Sequence, residues 1–213
     1  MAAHDATGFV LAGGMGTRLG RDKVLAAWNG SSLLENALAK LRSVCGDVNI
    51  CTNRDELSLY APVILDTMDQ NGQSIGPLGG IIAALESTKT DWNVFLPVDV
   101  PLFPAELLAQ MFSRVNGTSS VCLGCVPLFE GRAEPLCAVY HRDLLAGLQQ
   151  AITNRIYKVS DAMLMADPQQ SIIRFDLLAA AADWFLNVNT PEELTRARFL
   201  ASQSSNSAGR PVS

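Results

Sequence analysis

Residues 11 to 23 read LAGGMGTRLGRDK, with glycines at 13, 14, 16 and 20 beside long cations that include Arg18 and Lys23. Glycine lets backbone N–H groups approach an anion with no Cβ in the way, and the cations can reach the same charge. The combination fits a triphosphate; the alternative is a turn that is merely rich in glycine. Two familiar phosphate loops are excluded by spacing. A dinucleotide fingerprint would need glycine at 19, which is Leu19, and a P-loop needs Gly-Lys followed by Ser or Thr, whereas Lys23 lies between Asp22 and Val24.

Asp99 sits in LPVDVPLFP, directly after an apolar run and flanked by Pro97 and Pro101. A carboxylate presented rigidly at a strand end suits a Mg²⁺ ligand shared with substrate phosphates, or else it caps a turn or the next helix. Asp66 closes PVILD and opens the Gly-rich stretch TMDQNGQSIGPLGG, a length typical of binding loops, and is read as a base or ribose contact. Asp69 in the same stretch is read as solvated. Asn53, in Thr52-Asn53-Arg54, either reads a nucleobase edge or forms a turn. Asn187 and Asn189 fall on one face of an expected strand end, ahead of a Thr190 cap and Pro191 at a first helical position.

These residues need elements to hold them, and the pattern supplies a βαβ rhythm. GFVLA (8–12), DVNICT (47–52), PVILD (62–66) and NVFLPVD (93–99) read as strands. Ser32 and Glu35 form a capping box ahead of apolar residues at helical spacing, and GPLGGIIAALEST (76–88) and PAELLAQMF (104–112) read as further helices. Strands near 119–126, 134–140 and 171–175 and helices near 141–153 and 191–201 complete an α/β fold with a mainly parallel sheet and some mixed pairing in the second half. In such a sheet, ligands gather at the carboxyl ends of the strands, where the candidates above fall. Residues 1–201 are expected to form a single domain, and 202–213, small and polar, a frayed tail.

With 213 residues, 48% apolar and 17% charged, the chain can bury a real core. A net charge of −5 with no basic block argues against nucleic acid and anionic membranes as partners. No apolar stretch reaches the roughly 18 residues needed to cross a bilayer, and the start MAAHDATGFVLAGG does not read as a secretion signal, so the cytoplasm is the expected compartment. Cys122 and Cys125 form a lone CxxC on an expected strand; with histidines only at 4 and 141, the five cysteines read as buried thiols. His141 reads as a helix-start residue, and without a G-x-S-x-G elbow a hydrolytic triad is disfavoured.

Taken together, LAGG-x-x-x-R-x-G-x-DK (11–23), TNR (52–54), Asp66, GPLGG (76–80), Asp99 to Pro101 and NVNTPEEL (187–194) resemble the molybdenum cofactor guanylyltransferase family, MobA-like nucleotidyltransferases, in order and over residues 7 to 200. The resemblance implies a Rossmann-like, three-layer nucleotidyltransferase fold and transfer of GMP from GTP to molybdopterin with release of pyrophosphate. It implies that Leu11, Ala12, Gly13 and Gly14 line the nucleotide, Lys23 binds its phosphates, Asn53 and Asp66 contact the guanosine, and Asp99 holds Mg²⁺. Arg18, Asn187 and Asn189 are implied as further phosphate, metal or pterin contacts, and molybdoenzyme maturation proteins as partners. Leu19, Val98 and Val100 depart from the family's usual residues. The rivals are a CTP-dependent or sugar-phosphate nucleotidyltransferase of the same fold, towards which LAGG rather than AAGxS does not point, and a non-catalytic nucleotide-binding protein.

Overall fold

The computed structural model describes residues 4–13, 23–118, 121–177 and 179–207. The first strand, β1 (His4–Leu11), packs Ala6 and Val10 into one core and Phe9 and Leu11 into the other. Successive strand side chains point to opposite sides, so an unbroken apolar run is buried on both faces. A small hairpin follows, β2 (Ala27–Trp28) and β3 (Ser31–Ser32), turned by Asn29 and Gly30 with φ of 43° and 87°. This hairpin was not expected from the sequence; the Asn-Gly pair explains it, because both central residues of this turn need positive φ.

The helix α1 (Leu33–Arg42) begins at the anticipated capping box: Glu35 N–H donates to Ser32 Oγ at 3.2 Å and Ser32 N–H donates to the Glu35 carboxylate at 2.8 Å. These bonds satisfy donors that helix geometry leaves free. The Ser32 hydroxyl, donating to Glu35 Oε2 at 2.7 Å, and then the Ser32 N–H hold the Glu35 carboxyl below its usual range. The chain continues through β4 (Cys45–Cys51), β5 (Val63–Ile64), α2 (Pro77–Ser87), β6 (Trp92–Pro97), α3 (Ala105–Asn116), β7 (Gly124–Phe129) and β8 (Arg132–Ala133). It ends with β9 (Ala138–His141), α4 (Leu145–Thr153), α5 (Val159–Ala166), β10 (Ile172–Asp176) and α6 (Pro191–Ser207).

The sheet runs β10-β7-β9-β6-β1-β4-β5, with β8 added to β7. Pairing is parallel from β6 through β5 and between β7 and β10, while β9 is antiparallel to both β6 and β7. Because β9 reverses direction between them, β7 and β10 run the same way as β6 and β1. The carboxyl ends of β1, β4, β6, β7 and β10 therefore share one edge. Residues of α1, α3 and α6 fill the core on one face of the sheet, and those of α2, α4 and α5 fill the core on the other. This is the three-layer α/β architecture expected, with mixed pairing confined to the second half.

Several boundaries differ from the sequence reading. The second parallel crossover ends in only the two paired residues of β5, so Asp66 lies beyond the strand. No strand contains Asn187 and Asn189; the segment is held by a single backbone bond, Val188 N–H to Asp99 O at 2.8 Å, although burial does alternate around Val188. The helix α5 was not anticipated, since a short VSDAMLMA run without a side-chain cap carries little periodic signal. The helix α6 continues to Ser207 instead of stopping at 201. Cys122 precedes β7 and only Cys125 lies within it. The cysteines are free, and burial pushes the Cys45 and Cys125 thiols up to about 12, which leaves them neutral and inert. His141 does start a helical segment: its Nδ1 accepts the Asp143 N–H at 3.3 Å. Among the described residues no helix is long and apolar enough to cross a membrane.

Candidate active site

After β6 the chain turns tightly, with Phe103 N–H donating to the Val100 carbonyl at 3.1 Å. This turn presents Asp99 at the shared carboxyl edge. The Lys23 ammonium donates to Asp99 Oδ2 at 2.8 Å and to Asn189 Oδ1 at 2.6 Å, so three segments far apart in sequence meet at one nitrogen. The Lys23 and Asp99 side chains are 15% and 23% exposed, buried enough to be held in place and open enough to meet a ligand.

Asn189 is itself fixed by a second capping box. Glu193 Oε2 accepts the N–H groups of Asn189 and Thr190 at 2.7 and 2.9 Å, and Glu193 N–H donates to Thr190 Oγ1 at 3.2 Å. Asn187, on the same exposed side, has no hydrogen-bond partner among the described residues. From behind, the Pro101 carbonyl accepts Asn36 Nδ2 at 3.3 Å and the Lys40 ammonium, two α1 residues one turn apart. Burial pushes the Lys40 ammonium down to about 8. Asn36 and Lys40 thus clamp the loop that carries Asp99. Sequence reasoning did not single them out, and only their four-residue spacing on one helix face hinted at a shared target.

A second group surrounds Asp66. Asp66 N–H donates to Asn53 Oδ1 at 3.2 Å, Ala12 N–H donates to Cys51 O at 3.0 Å, and Thr52 Oγ1 donates to Ala12 O at 3.3 Å. A Cβ on Gly13 would stand 2.8 Å from Asp66 Oδ2, and one on Gly80 would stand 3.1 Å from Oδ1. The glycines at the end of β1 and the start of α2 therefore clear room for this carboxylate. Gly76 caps α2 at φ 65° and ψ −151°, a conformation essentially reserved for glycine. Asp69, expected to be solvated, instead folds its own loop, its Oδ1 accepting the N–H groups of Asn71 and Gln73 at 2.9 and 2.8 Å. The two groups join through β1, where Val98 N–H donates to Leu11 O at 3.1 Å.

Gly79 packs most tightly of all: a Cβ there would come within 2.3 Å of the Thr67 carbonyl oxygen. Because the obstacle is backbone, Gly79→Ala should lower stability by about 1–3 kcal/mol and displace the neighbouring Asp66. Urea denaturation checks the first effect, and an unchanged midpoint would show that the α2 entry tolerates the shift.

Burial pushes the Asp66 carboxyl up to about 6 from 3.8. Between those values the native state binds more protons than the unfolded chain, so stability should fall as pH rises from about 4 to 6 and then level off. The thermal midpoint of Asp66→Asn should lack that component. Parallel midpoint–pH curves for the two proteins would contradict it.

Of the residues anticipated from sequence, the structure brings Lys23, Asp99 and Asn189 into one cluster and Gly13, Asn53 and Asp66 into another. Leu11 and Ala12 are buried beside the second. Gly14 and Arg18 lie outside the described residues.

A family model for the MobA-like NTP transferase domain matches residues 8–167. The chain belongs to this family. The MobA-like NTP transferase domain thus runs from the middle of β1 through α5 and includes every residue of the two clusters except Asn189. A Bacillus cereus (strain AH820) relative named "Probable molybdenum cofactor guanylyltransferase" is 33% identical over 196 residues, 90% of this chain and 94% of its own. The crystal structure of molybdopterin-guanine dinucleotide biosynthesis protein A from Archaeoglobus fulgidus superposes with a TM-score of 0.71 at 24% identity, covering 92% of this chain and 99% of that one. A CMP:2-keto-3-deoxy-manno-octonic acid synthetase complexed with CTP superposes with a TM-score of 0.69 at 14% identity, covering 93% and 99%. As a MobA-like NTP transferase, the protein is an enzyme of the nucleotidyltransferase class with the fold of these structures.

Proposed function

We propose that this enzyme transfers GMP from GTP to the terminal phosphate of molybdopterin, releasing pyrophosphate. The observation that carries the reading is the convergence of Lys23, Asp99 and Asn189 at the carboxyl edge, in a chain whose relatives are named for this reaction. The acceptor phosphate is already anionic, so no side chain need act as nucleophile. What the reaction requires is alignment of two anions and neutralisation of charge as the pyrophosphate leaves.

The Lys23 ammonium, now shared between two oxygens, is positioned to exchange them for triphosphate oxygens, with Arg18 as a second cation. The guanosine lies against exposed Gly13 at the end of β1, where Asp66, seated between Gly13 and Gly80, accepts hydrogen bonds and Asn53 orders the Asp66 backbone. A divalent cation fits here on its donor chemistry. Asp99 and Asn189 offer a carboxylate and an amide oxygen within a hydrogen bond of one positive charge, and Mg²⁺ prefers such oxygen ligands completed by substrate phosphates. Among the described residues no three His, Cys, Asp or Glu gather into a cage, so Asp99 and the phosphates would hold it. Bound there, Mg²⁺ supplies further neutralisation of the phosphate charge. Asn187 and Asn189 face the acceptor side.

Pyrophosphate release from each ribonucleoside triphosphate with Mg²⁺, with and without molybdopterin, tests this directly. Release from GTP that depends on molybdopterin is expected. A preference for CTP would move the enzyme to cytidylyl transfer, and no release with any nucleotide would leave a binding protein.

A further inference from the structure

A cavity of about 450 Å³ lies between the start of α3, the end of β10 and the residues that follow it. Its volume falls within the roughly 300–1,000 Å³ of small-molecule sites. Pro104, Leu107, Phe175 and Trp184 give it flat apolar walls, and Glu106 and Asp176 add two carboxylates. Glu106 and Asp176 are exposed, and their carboxylates accept no hydrogen bond among the described residues.

Its position follows from the fold. Asp176 ends β10 on the same sheet edge as Asp99, and β10 is separated from β6 by β7 and β9. Three strand spacings amount to about 14 Å. Along the chain, the closed turn from Val100 to Phe103 keeps Pro104 within about 15 Å of Asp99. On the other side Trp184 leads through a turn closed by Leu186 N–H and Asp183 O at 3.2 Å to Asn187 and Asn189. The cavity is therefore one small-molecule length from the Lys23 ammonium, on the side of the site away from Asp66 and β4.

The chemistry of the walls selects the occupant. Aromatic and proline faces suit a planar fused ring. A carboxylate pairs with two adjacent N–H donors, as it does with the arginine fork. It also repels phosphate, so a phosphorylated ligand would enter with its ring in the cavity and its phosphate turned towards Lys23. A 2-amino-4-oxo heterocycle has such an N–H edge, found on both pterins and guanine.

We propose that this cavity seats the pterin ring of the acceptor, with Asp176 pairing to its 2-amino and ring N–H groups and Trp184 covering a ring face. This rests on the acceptor being a pterin phosphate. It adds where the ring lies and which side chains hold it.

Binding of 6-hydroxymethylpterin and, separately, of GMP to the full-length protein is measured by calorimetry for wild type, Asp176→Asn and Trp184→Ala. Because Asp176 is exposed, its variant retains the fold even if Trp184→Ala weakens packing. Pterin affinity should fall at least about tenfold in each, with GMP affinity as in wild type. In turnover the KM for molybdopterin should rise without a matching rise in the KM for GTP. Wild-type pterin affinity in Asp176→Asn, no pterin binding to wild type, or a loss confined to GMP would each overturn the assignment. Pterin binding that responds as expected, in a protein that releases no pyrophosphate from GTP, would sink the proposed reaction and leave the cavity standing.

Discussion

Replacing Asp99 with alanine should lower kcat/KM for nucleotidyl transfer by about 10²- to 10³-fold, the cost of removing one group that stabilises transition-state charge. The protein should remain folded. Asp99 contributes to the fold through its backbone carbonyl, which accepts the Val188 N–H and survives the change, and its loop remains clamped at Pro101 by Asn36 and Lys40. The Asp99 side chain instead meets Lys23 in a largely buried ion pair, whose loss lowers stability but leaves these backbone and loop anchors in place. The test is turnover against Mg²⁺ concentration, with circular dichroism as the control. If Asp99 shapes the metal site, Asp99→Asn should also need more Mg²⁺ to reach its lowered maximum. Near-normal turnover by pure Asp99→Ala would remove Asp99 from the chemistry.

Lys23→Ala should cost a similar factor of about 10²–10³ in kcat/KM, with a rise in the KM for GTP, because its ammonium is the described cation closest to the proposed path of the phosphates. Lys23→Arg should recover only part of the loss. A planar fork cannot replace one compact ammonium that bridges Asp99 Oδ2 and Asn189 Oδ1 at 2.8 and 2.6 Å. A purely structural lysine would behave differently. Its loss would free the segment around Asn189, lower the melting temperature and leave the KM for GTP alone. Measuring both quantities on one preparation separates the two roles.

What could be read without coordinates had a local cause. The Ser32 and Glu35 box, the Thr190 cap with Pro191 and the doubly buried β1 all depend on residues within a few positions of one another. Each appeared as expected. The βαβ alternation implied a parallel sheet whose strand carboxyl ends carry Asp66 and Asp99, and the structure has them just past β5 and β6. The strand expected at Asn187 and Asn189 failed because alternation of burial does not require pairing. The Val188 bond to Asp99, together with the Lys23 and Glu193 bonds to Asn189, holds that segment instead.

The sequence by itself determined most of the element types, α5 and the segment around Asn187 excepted, and the family to which its motifs belong. The tertiary structure decided which residues act together. Lys23 meets Asn189 across a separation of 166 positions and Asp99 across 76, and α1 grips Pro101 through Lys40 across 61. Those meetings depend on strand order, on β9 turning back between β6 and β7, and on which face each helix covers. None of these is a local property. Propensity and periodicity act within a turn or two of chain, whereas a binding site is assembled by packing, and packing is decided only when the whole sheet has closed around its two cores.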